Sequence, residues 1–286
     1  MYPAQFEYHK AGTVKEAVDL LSKYKDEAKV LAGGHSLLPA MKLRLAQPKH
    51  LIDIGKVSGL AGIKEEGSTL VIGALTTHYA IESSALLKSK CPLLAEVAGH
   101  IGDPMVRNLG TIGGSLAHAD PAADWPAAVI ALGAELVAEG PKGKRTIKID
   151  DFFKGLLTTA LGDDEILTEI RIPAGGANVK GAYAKFPHPA SRFAVVGVAA
   201  VLTIDGGKVS KASIGITGAG TKASRAKSVE AAITGKPADA GSIQAAAEKA
   251  AEGVDVQADL QGSVEYKQHL LSVFAKRAME AAAARK

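Results

Sequence analysis

A chain of 286 residues, 47% hydrophobic and 22% charged, carries enough apolar material for two or three packed units and does not have the composition of a disordered one. Its formal net charge of +4 comes from dispersed basic residues, with no basic stripe interleaved with aromatics, which speaks against a nucleic-acid binder. The single cysteine, Cys91, excludes an intrachain disulfide and any iron–sulfur cluster held by this chain alone.

The opening MYPAQFEYHK lacks the apolar core of a signal peptide, and no apolar run reaches membrane-spanning length. A cytoplasmic protein without a membrane span is the expectation, with a peripheral place on the inner membrane face left open. Thr13-Val14-Lys15-Glu16 has the form of a capping box and opens a helix whose Val14, Ala17, Val18, Leu21 and Tyr24 recur at helical spacing. A strand at Lys29-Val30-Leu31, a turn at Ala32-Gly33-Gly34-His35-Ser36, a helix over Leu37 to Leu45 capped by Ser36, and a strand at Leu51 to Ile54 follow, a βαβ-like unit.

From Ala61 a hairpin turning at Glu66-Gly67 is expected, then helical stretches over His78 to Lys90 and Pro92 to Gly99. A glycine-rich turn follows at Gly110-Thr111-Ile112-Gly113-Gly114-Ser115, then a helix over Asp124 to Leu132. Glu135 to Ala138 and Arg145 to Ile149 read as a hairpin, Asp150 to Phe153 as a short helix start, and Glu165 to Ile172 as a strand. Ala174 to Asn178 is the linker candidate. Beyond it stand strands at Gly181 to Phe186, Ala194 to Ile204 and Val209 to Thr217, then helices over Arg225 to Thr234, Ser242 to Glu252 and Val264 to Arg285. Strands followed by helices make this a separate α+β domain.

The two glycine turns carry the functional signal. Each sets adjacent glycines beside a hydroxyl residue, where successive main-chain N–H groups can form a concavity for an anion. The plain alternative for either one is an ordinary turn. Neither G-x-G-x-x-G between a strand and a helix nor G-x-x-x-x-G-K-[ST] occurs, so the Rossmann and Walker modes are excluded. Gly215-Ile-Thr-Gly218-Ala-Gly220 reverses the first spacing and reads as turn chemistry at a strand end. His118 and Asp120 are too sparse a pair to argue for a metal, and Cys91 reads as a packing residue.

Taken together, L-A-G-G-H-S-L, T-I-G-G-S, the opening F-x-Y-H, D-E-I-L-T-E-I-R-I-P and the C-terminal third resemble the FAD-binding medium subunits of the molybdenum hydroxylases, nearest to their carbon monoxide-oxidising branch. The resemblance implies an α+β protein: a two-subdomain FAD-binding fold of the vanillyl-alcohol-oxidase (PCMH) type over residues 1–57 and 58–177, then a C-terminal α+β domain, a small antiparallel sheet with helices, over 178–286. It implies non-covalent FAD, with Ala32, Gly33, Gly34, His35 and Ser36 and Gly110, Thr111, Ile112, Gly113, Gly114 and Ser115 around the pyrophosphate. It further implies flavin contacts at Ile101, Asp124, Leu167 and Lys185, a loop over the diphosphate at Asp120, and Phe193 beside the isoalloxazine.

Read alone, Asp124 is also a helix N-cap candidate, Leu167 a core residue and Lys185 a solvated strand lysine. No residue of this chain is expected to be catalytic or to bind metal. The molybdenum cofactor and [2Fe-2S] clusters would lie on large and small partner subunits, in a dimer of heterotrimers passing electrons to a quinone or similar acceptor. The alternatives are the medium subunit of an aldehyde, purine or N-heterocycle hydroxylase, a stand-alone flavin oxidoreductase, or a scaffold that has lost its flavin. Two departures stand out: Ser115 where the family often has Asn, and the proline-rich FPHPASRF after Lys185, which leaves the acceptor open.

Overall fold

The structure is a computed structural model and describes residues 1–285. It begins with β1 (Glu7–Lys10), α1 (Val14–Tyr24), β2 (Ala28–Leu31), α2 (Leu37–Lys42) and β3 (His50–Asp53). The strands form a parallel sheet in the order β1-β3-β2. Thr13 caps α1 by accepting from the Glu16 amide at 3.1 Å, and the Glu16 carboxylate accepts from Gly12 N at 2.8 Å. The apolar stripe Ala17, Val18 and Leu21 packs on Ile52 of the central strand.

Two details depart from the sequence reading here. The second helix stops at Lys42 rather than Leu45, because Arg44 takes a left-handed φ of 58°, and Ser36 makes no side-chain cap. Glu7–Lys10 has no apolar alternation and was not expected as a strand; its backbone pairs along β3 all the same.

Next come β4 (Ile63–Glu66), β5 (Thr69–Gly73), α3 (His78–Ser83), α4 (Ala85–Lys90), α5 (Pro92–His100), α6 (Pro104–Leu109), α7 (Ile112–His118) and α8 (Asp124–Ala131). They are followed by β6 (Glu135–Gly140), β7 (Gly143–Lys148), β8 (Phe153–Gly155), β9 (Thr158–Thr159) and β10 (Ile166–Pro173). The main sheet here is antiparallel, in the order β4-β5-β10-β6-β7.

The helix expected over 78–90 is two helices, because Ser84 is extended and its hydroxyl caps the second by accepting from Leu87 N at 3.3 Å. The helix start expected at Asp150 to Phe153 is a single 3-10 turn, Ile149–Asp151, leading into the β8–β9 hairpin. Helices α6 and α7 were not expected. Asp103 caps α6 ahead of Pro104, accepting from Val106 N at 2.9 Å, a signal present in the sequence. The glycines of α7 disguised it, since glycine is a poor helix former.

The remainder is a meander, β11 (Val179–Pro187), β12 (Ala194–Asp205), β13 (Lys208–Thr217) and β14 (Ser224–Arg225), followed by α9 (Lys227–Ile233), α10 (Ala240–Ala247) and α11 (Val264–Ala284). Strand β12, AVVGVAAVLTID, is buried along most of its length because α8 covers one face of the sheet and α11 the other. All eight residues of α8 are buried, as a helix apolar on every side beyond its opening Asp124 must be. The interiors interlock: the main core takes in Tyr183, Ala199 and Ala223 from the C-terminal part, and the first core takes in Leu75 and Ile166.

Gly215 lies inside β13 rather than in a turn, at the point where that strand meets α8. A Cβ there would stand 2.0 Å from the Ala127 carbonyl oxygen. Gly215→Ala must therefore push strand from helix. The expected outcome is a loss of about 1–3 kcal/mol in stability, read from the urea midpoint at unchanged m-value.

Candidate functional site

Strand β2 ends at Leu31, and the chain then bends through Ala32 to Ser36 with Gly34 at φ 76°, a conformation that favours glycine. Gly33 is required for a different reason. A Cβ on it would lie 2.1 Å from the Leu109 carbonyl oxygen and 2.9 Å from Gly110 Cα, so the first bend touches the second segment backbone to backbone. Among the described residues, none supplies an acceptor to the amides of Gly33, Gly34, His35 or Ser36. Four successive N–H groups free at an accessible bend are an anion-binding concavity.

The second segment is built otherwise. It was expected to offer a similar cradle of amides, but those from Ile112 to Ser115 are already engaged. Ile112 N donates to Thr76 O at 3.1 Å, Gly113 N to Ala74 O at 2.9 Å, and Ser115 N to Thr111 O at 3.0 Å. Gly114 N donates to the capping hydroxyl of Thr111 at 3.1 Å. The physical reason is that these residues form the first turn of α7, pinned to the chain around β5. Ile112 and Gly113 are buried, and a Cβ on Gly113 would stand 2.5 Å from Ala74 Cβ, so both lie behind the wall. Gly110, Thr111, Gly114 and Ser115 form the wall itself.

The residues behind Gly110 were not anticipated. His78 is buried, and its Nδ1 accepts from the Trp125 indole N–H at 3.0 Å. Burial pushes the imidazole down to about 4, with His35 and Arg107 adding to the effect, so the ring is neutral at ordinary pH. With Nδ1 accepting, the proton of the neutral ring resides on Nε2, the atom that a Cβ on Gly110 would approach to 2.7 Å. His78 thus presents a neutral donor at the cleft. The hydroxyl of Thr77 caps α3, accepting from Ala80 N at 3.2 Å, but nothing local in the sequence marks the histidine after it.

Asp124 and Lys185 meet, as neither of their local readings required. Ala123 occupies the N-cap position of α8, and Asp124 sits inside the first turn, 5% exposed. Its carboxylate accepts from Tyr183 OH at 2.6 Å and from Lys185 Nζ at 2.9 Å. Burial raises the Asp124 carboxyl above its usual range, against the opposing pull of the Lys185 ammonium and the Tyr183 hydrogen bond. The Tyr183 hydroxyl is pushed well up, by its burial and by that carboxylate. Lys185, its side chain 2% exposed, also donates to His100 O at 3.1 Å, beside Ile101 on the cleft wall. It is a buried clamp rather than a solvated strand lysine.

The same end of the C-terminal sheet holds the loop over residues 120–123. Thr217 Oγ1 donates toward Pro121 O at 2.7 Å and Ala123 O at 2.6 Å, Gly218 N to Pro121 O at 2.7 Å, and Ala194 N to Ala122 O at 3.0 Å. Asp120 accepts from Ala122 N at 2.8 Å within that loop. The result is a cleft of about 540 Å³ bordered by Ala32 to Leu37, by His78, Ile101, Gly110, Thr111, Gly114, Ser115, Asp120 and Asp124, and by Ser191 to Phe193. Phe193 is 41% exposed, on a loop where Arg192 takes a φ of 59°. Leu167 is buried in the core beneath and does not line the cleft, nor does Lys185. A volume of this size, with a mixed polar and apolar lining and free amides at one end, suits an elongated anionic cofactor.

Comparison with known proteins gives the same outline. Residues 4–175 match the family model described as the FAD binding domain in molybdopterin dehydrogenase, and residues 181–282 the CO dehydrogenase flavoprotein C-terminal domain. The chain is 45% identical over 285 residues to the carbon monoxide dehydrogenase medium chain of Hydrogenophaga pseudoflava, covering 100% of this chain and 99% of that one. It is 36% identical to the nicotine 6-hydroxylase medium subunit of Paenarthrobacter nicotinovorans, covering 97% of each. The solved carbon monoxide dehydrogenase from Hydrogenophaga pseudoflava that lacks the Mo-pyranopterin moiety superposes with a TM-score of 0.96 at 47% identity, over 99% of this chain and 98% of that one.

Removing the clamp tests the electrostatic account. Lys185→Met leaves Asp124 buried without its counter-charge and is expected to cost about 3–5 kcal/mol at pH 8. The native carboxyl then holds its proton to still higher pH, so the folded state binds more protons than the unfolded one. Stability must fall as pH rises and partly recover as pH is lowered toward 5. Urea titrations of both proteins across that range check the slope.

Proposed function

This chain belongs to the family of FAD-binding medium subunits of the molybdenum hydroxylases, and from that premise we propose that it is the flavin-carrying electron-transfer subunit of a carbon monoxide dehydrogenase. Electrons would reach it from iron–sulfur clusters on a small partner chain, substrate oxidation would take place on a large molybdenum-binding chain, and a quinone or similar acceptor would receive the electrons. The observation that carries this reading is the run of free amides from Gly33 to Ser36, set against Gly110, Thr111, Gly114 and Ser115 in a single cleft.

The residues fit the cofactor. The amides of Gly33, Gly34, His35 and Ser36 would hold the diphosphate, with the Ser115 hydroxyl as a neutral donor across the cleft. Ile101 and Phe193 would flank the ring system, while Asp124 and Lys185 act from behind by holding the wall in place. Leu167 would serve from the core beneath. Ile112 and Gly113 set the path of the wall rather than touching the ligand. FAD supplies the electron chemistry that no side chain here can perform, and this chain supplies its position and surroundings.

Cys91 supports a division of labour between chains. It is the one cysteine, it is buried, and burial pushes its thiol up to about 11, the opposite of a cluster ligand. Among the described residues no helix is long and apolar enough to cross a membrane. A dimer of heterotrimers in the cytoplasm, with or without a peripheral seat on the inner membrane face, completes the proposal, as do units bounded at 1–57, 58–177 and 178–286. The 45% identity to a carbon monoxide dehydrogenase medium chain favours that substrate over N-heterocycles, for which the relative named above is at 36%.

Native purification tests this. The expected outcome is one FAD per chain, all of it released by acid, with molybdenum-bearing and iron–sulfur-bearing chains co-purifying and carbon monoxide reducing the assembly. Colourless protein that refuses added FAD would sink the proposal. Co-purified chains that oxidise only an aldehyde or an N-heterocycle would move the substrate and keep the flavin role. Gly33→Ala, which forces a methyl against Leu109 O, is expected to lower flavin occupancy at least tenfold, roughly the loss of one good charge-assisted contact pair. Flavin fluorescence of the acid extract per chain measures it.

A further inference from the structure

Away from the cleft, the parallel pairing of β1 with β3 brings Glu7, His9 and His50 together. Glu7 lies opposite His50 in the register, and His9, two residues on, points to the same face of the sheet. Their ligand atoms all fall within 4.8 Å of one another. His9 Nε2 stands 3.1 Å from His50 Nδ1, Glu7 Oε2 lies 3.3 Å from His50 Nδ1, and Glu7 Oε2 lies 3.8 Å from His9 Nε2. A tetrahedral ion with bonds near 2.0–2.1 Å needs its donor atoms about 3.3 Å apart. The three separations bracket that value.

The rings are held before any ion arrives. Tyr24 stacks on His50 with centroids 3.6 Å apart and on His9 at 5.0 Å, so the C-terminal end of α1 fixes both imidazoles. The two histidine side chains are 13% and 21% exposed, whereas that of Glu7 is 71% exposed, which leaves the fourth position open to water. Two imidazoles and one carboxylate are a donor set for a borderline first-row divalent ion rather than for magnesium or calcium. None of the three residues lines the cleft.

We propose that Glu7, His9 and His50 form a second, independent site on this chain, a surface site for a divalent transition-metal ion of the zinc class. The ion tacks the N-terminal strand onto the central strand of the sheet, and replaces the hydrogen bond that otherwise joins the two imidazoles. Its role is structural. The sheet it braces is the one whose other edge strand, β2, runs into the Gly33–Gly34 bend.

Calorimetric titration of the flavin-bearing full-length protein with zinc chloride decides the matter. One ion per chain and a rise in Tm with added zinc are expected in the unaltered protein. His50→Gln and His9→Gln should each weaken binding by about tenfold or more, and Glu7→Gln, at an exposed position that cannot disturb the fold, by a smaller factor. The flavin absorbance of every variant should be unchanged, which reports intact folding and separates this site from the cleft. Zinc binding that all three variants leave untouched would place the ion elsewhere and overturn the proposal. An absence of binding heat at millimolar zinc would overturn it too, leaving a hydrogen-bonded histidine pair.

Discussion

At Gly33 two stretches of main chain approach so closely that a single methyl group would collide with the Leu109 carbonyl. Everything at the cleft follows from that contact. It sets the free amides of the first bend against the wall made by Gly110, Thr111, Gly114 and Ser115, without side chains intervening. Backbone meeting backbone also makes the geometry stiff, because neither partner has rotamers through which to relax. The anion-binding character is therefore a property of where two loops are forced to lie.

The forcing comes from α8 and the sheet that covers it. A fully buried helix has to be enclosed on every side, and here the enclosure is supplied partly by the strands of the C-terminal part. The Asp124–Lys185–Tyr183 cluster lies at the seam. A buried ion pair of this kind returns little net stability, since desolvation consumes much of the Coulombic gain, but it tolerates few alternative arrangements. Lys185 reaches both the carboxylate and His100 O, and so one side chain from β11 sets the start of α8 and the end of α5 together. Thr217 does the same work on the loop before α8 with hydrogen bonds alone.

Two glycine-rich segments of almost the same composition thus do opposite things with their amides. The first leaves them open toward the cleft; the second spends those of Ile112 to Ser115 on the chain just after β5 and on its own helix start. What the second contributes instead is thinness, since Gly110 lets the neutral His78 lie directly behind the wall. The histidine is held neutral by burial and oriented by Trp125, and together they place a hydrogen-bond donor there without adding charge to a site built for an anion.

Much of this molecule could be read from the chain. Periodicities of 3.6 and 2 located most helices and strands, because burial on one face is written locally, and paired glycines beside hydroxyls marked both walls of the cleft. The end-to-end likeness to a family of flavin subunits did the rest. What the chain could not display is which polar groups find one another. Trp125 bonds a histidine 47 positions away, and Lys185 a carboxylate 61 positions away. Glu7 and His50 are brought side by side only by the parallel register of two strands. A residue type sets what a group can donate or accept, but its partner, and hence its charge state and role, is chosen by tertiary packing across distances that no local pattern spans.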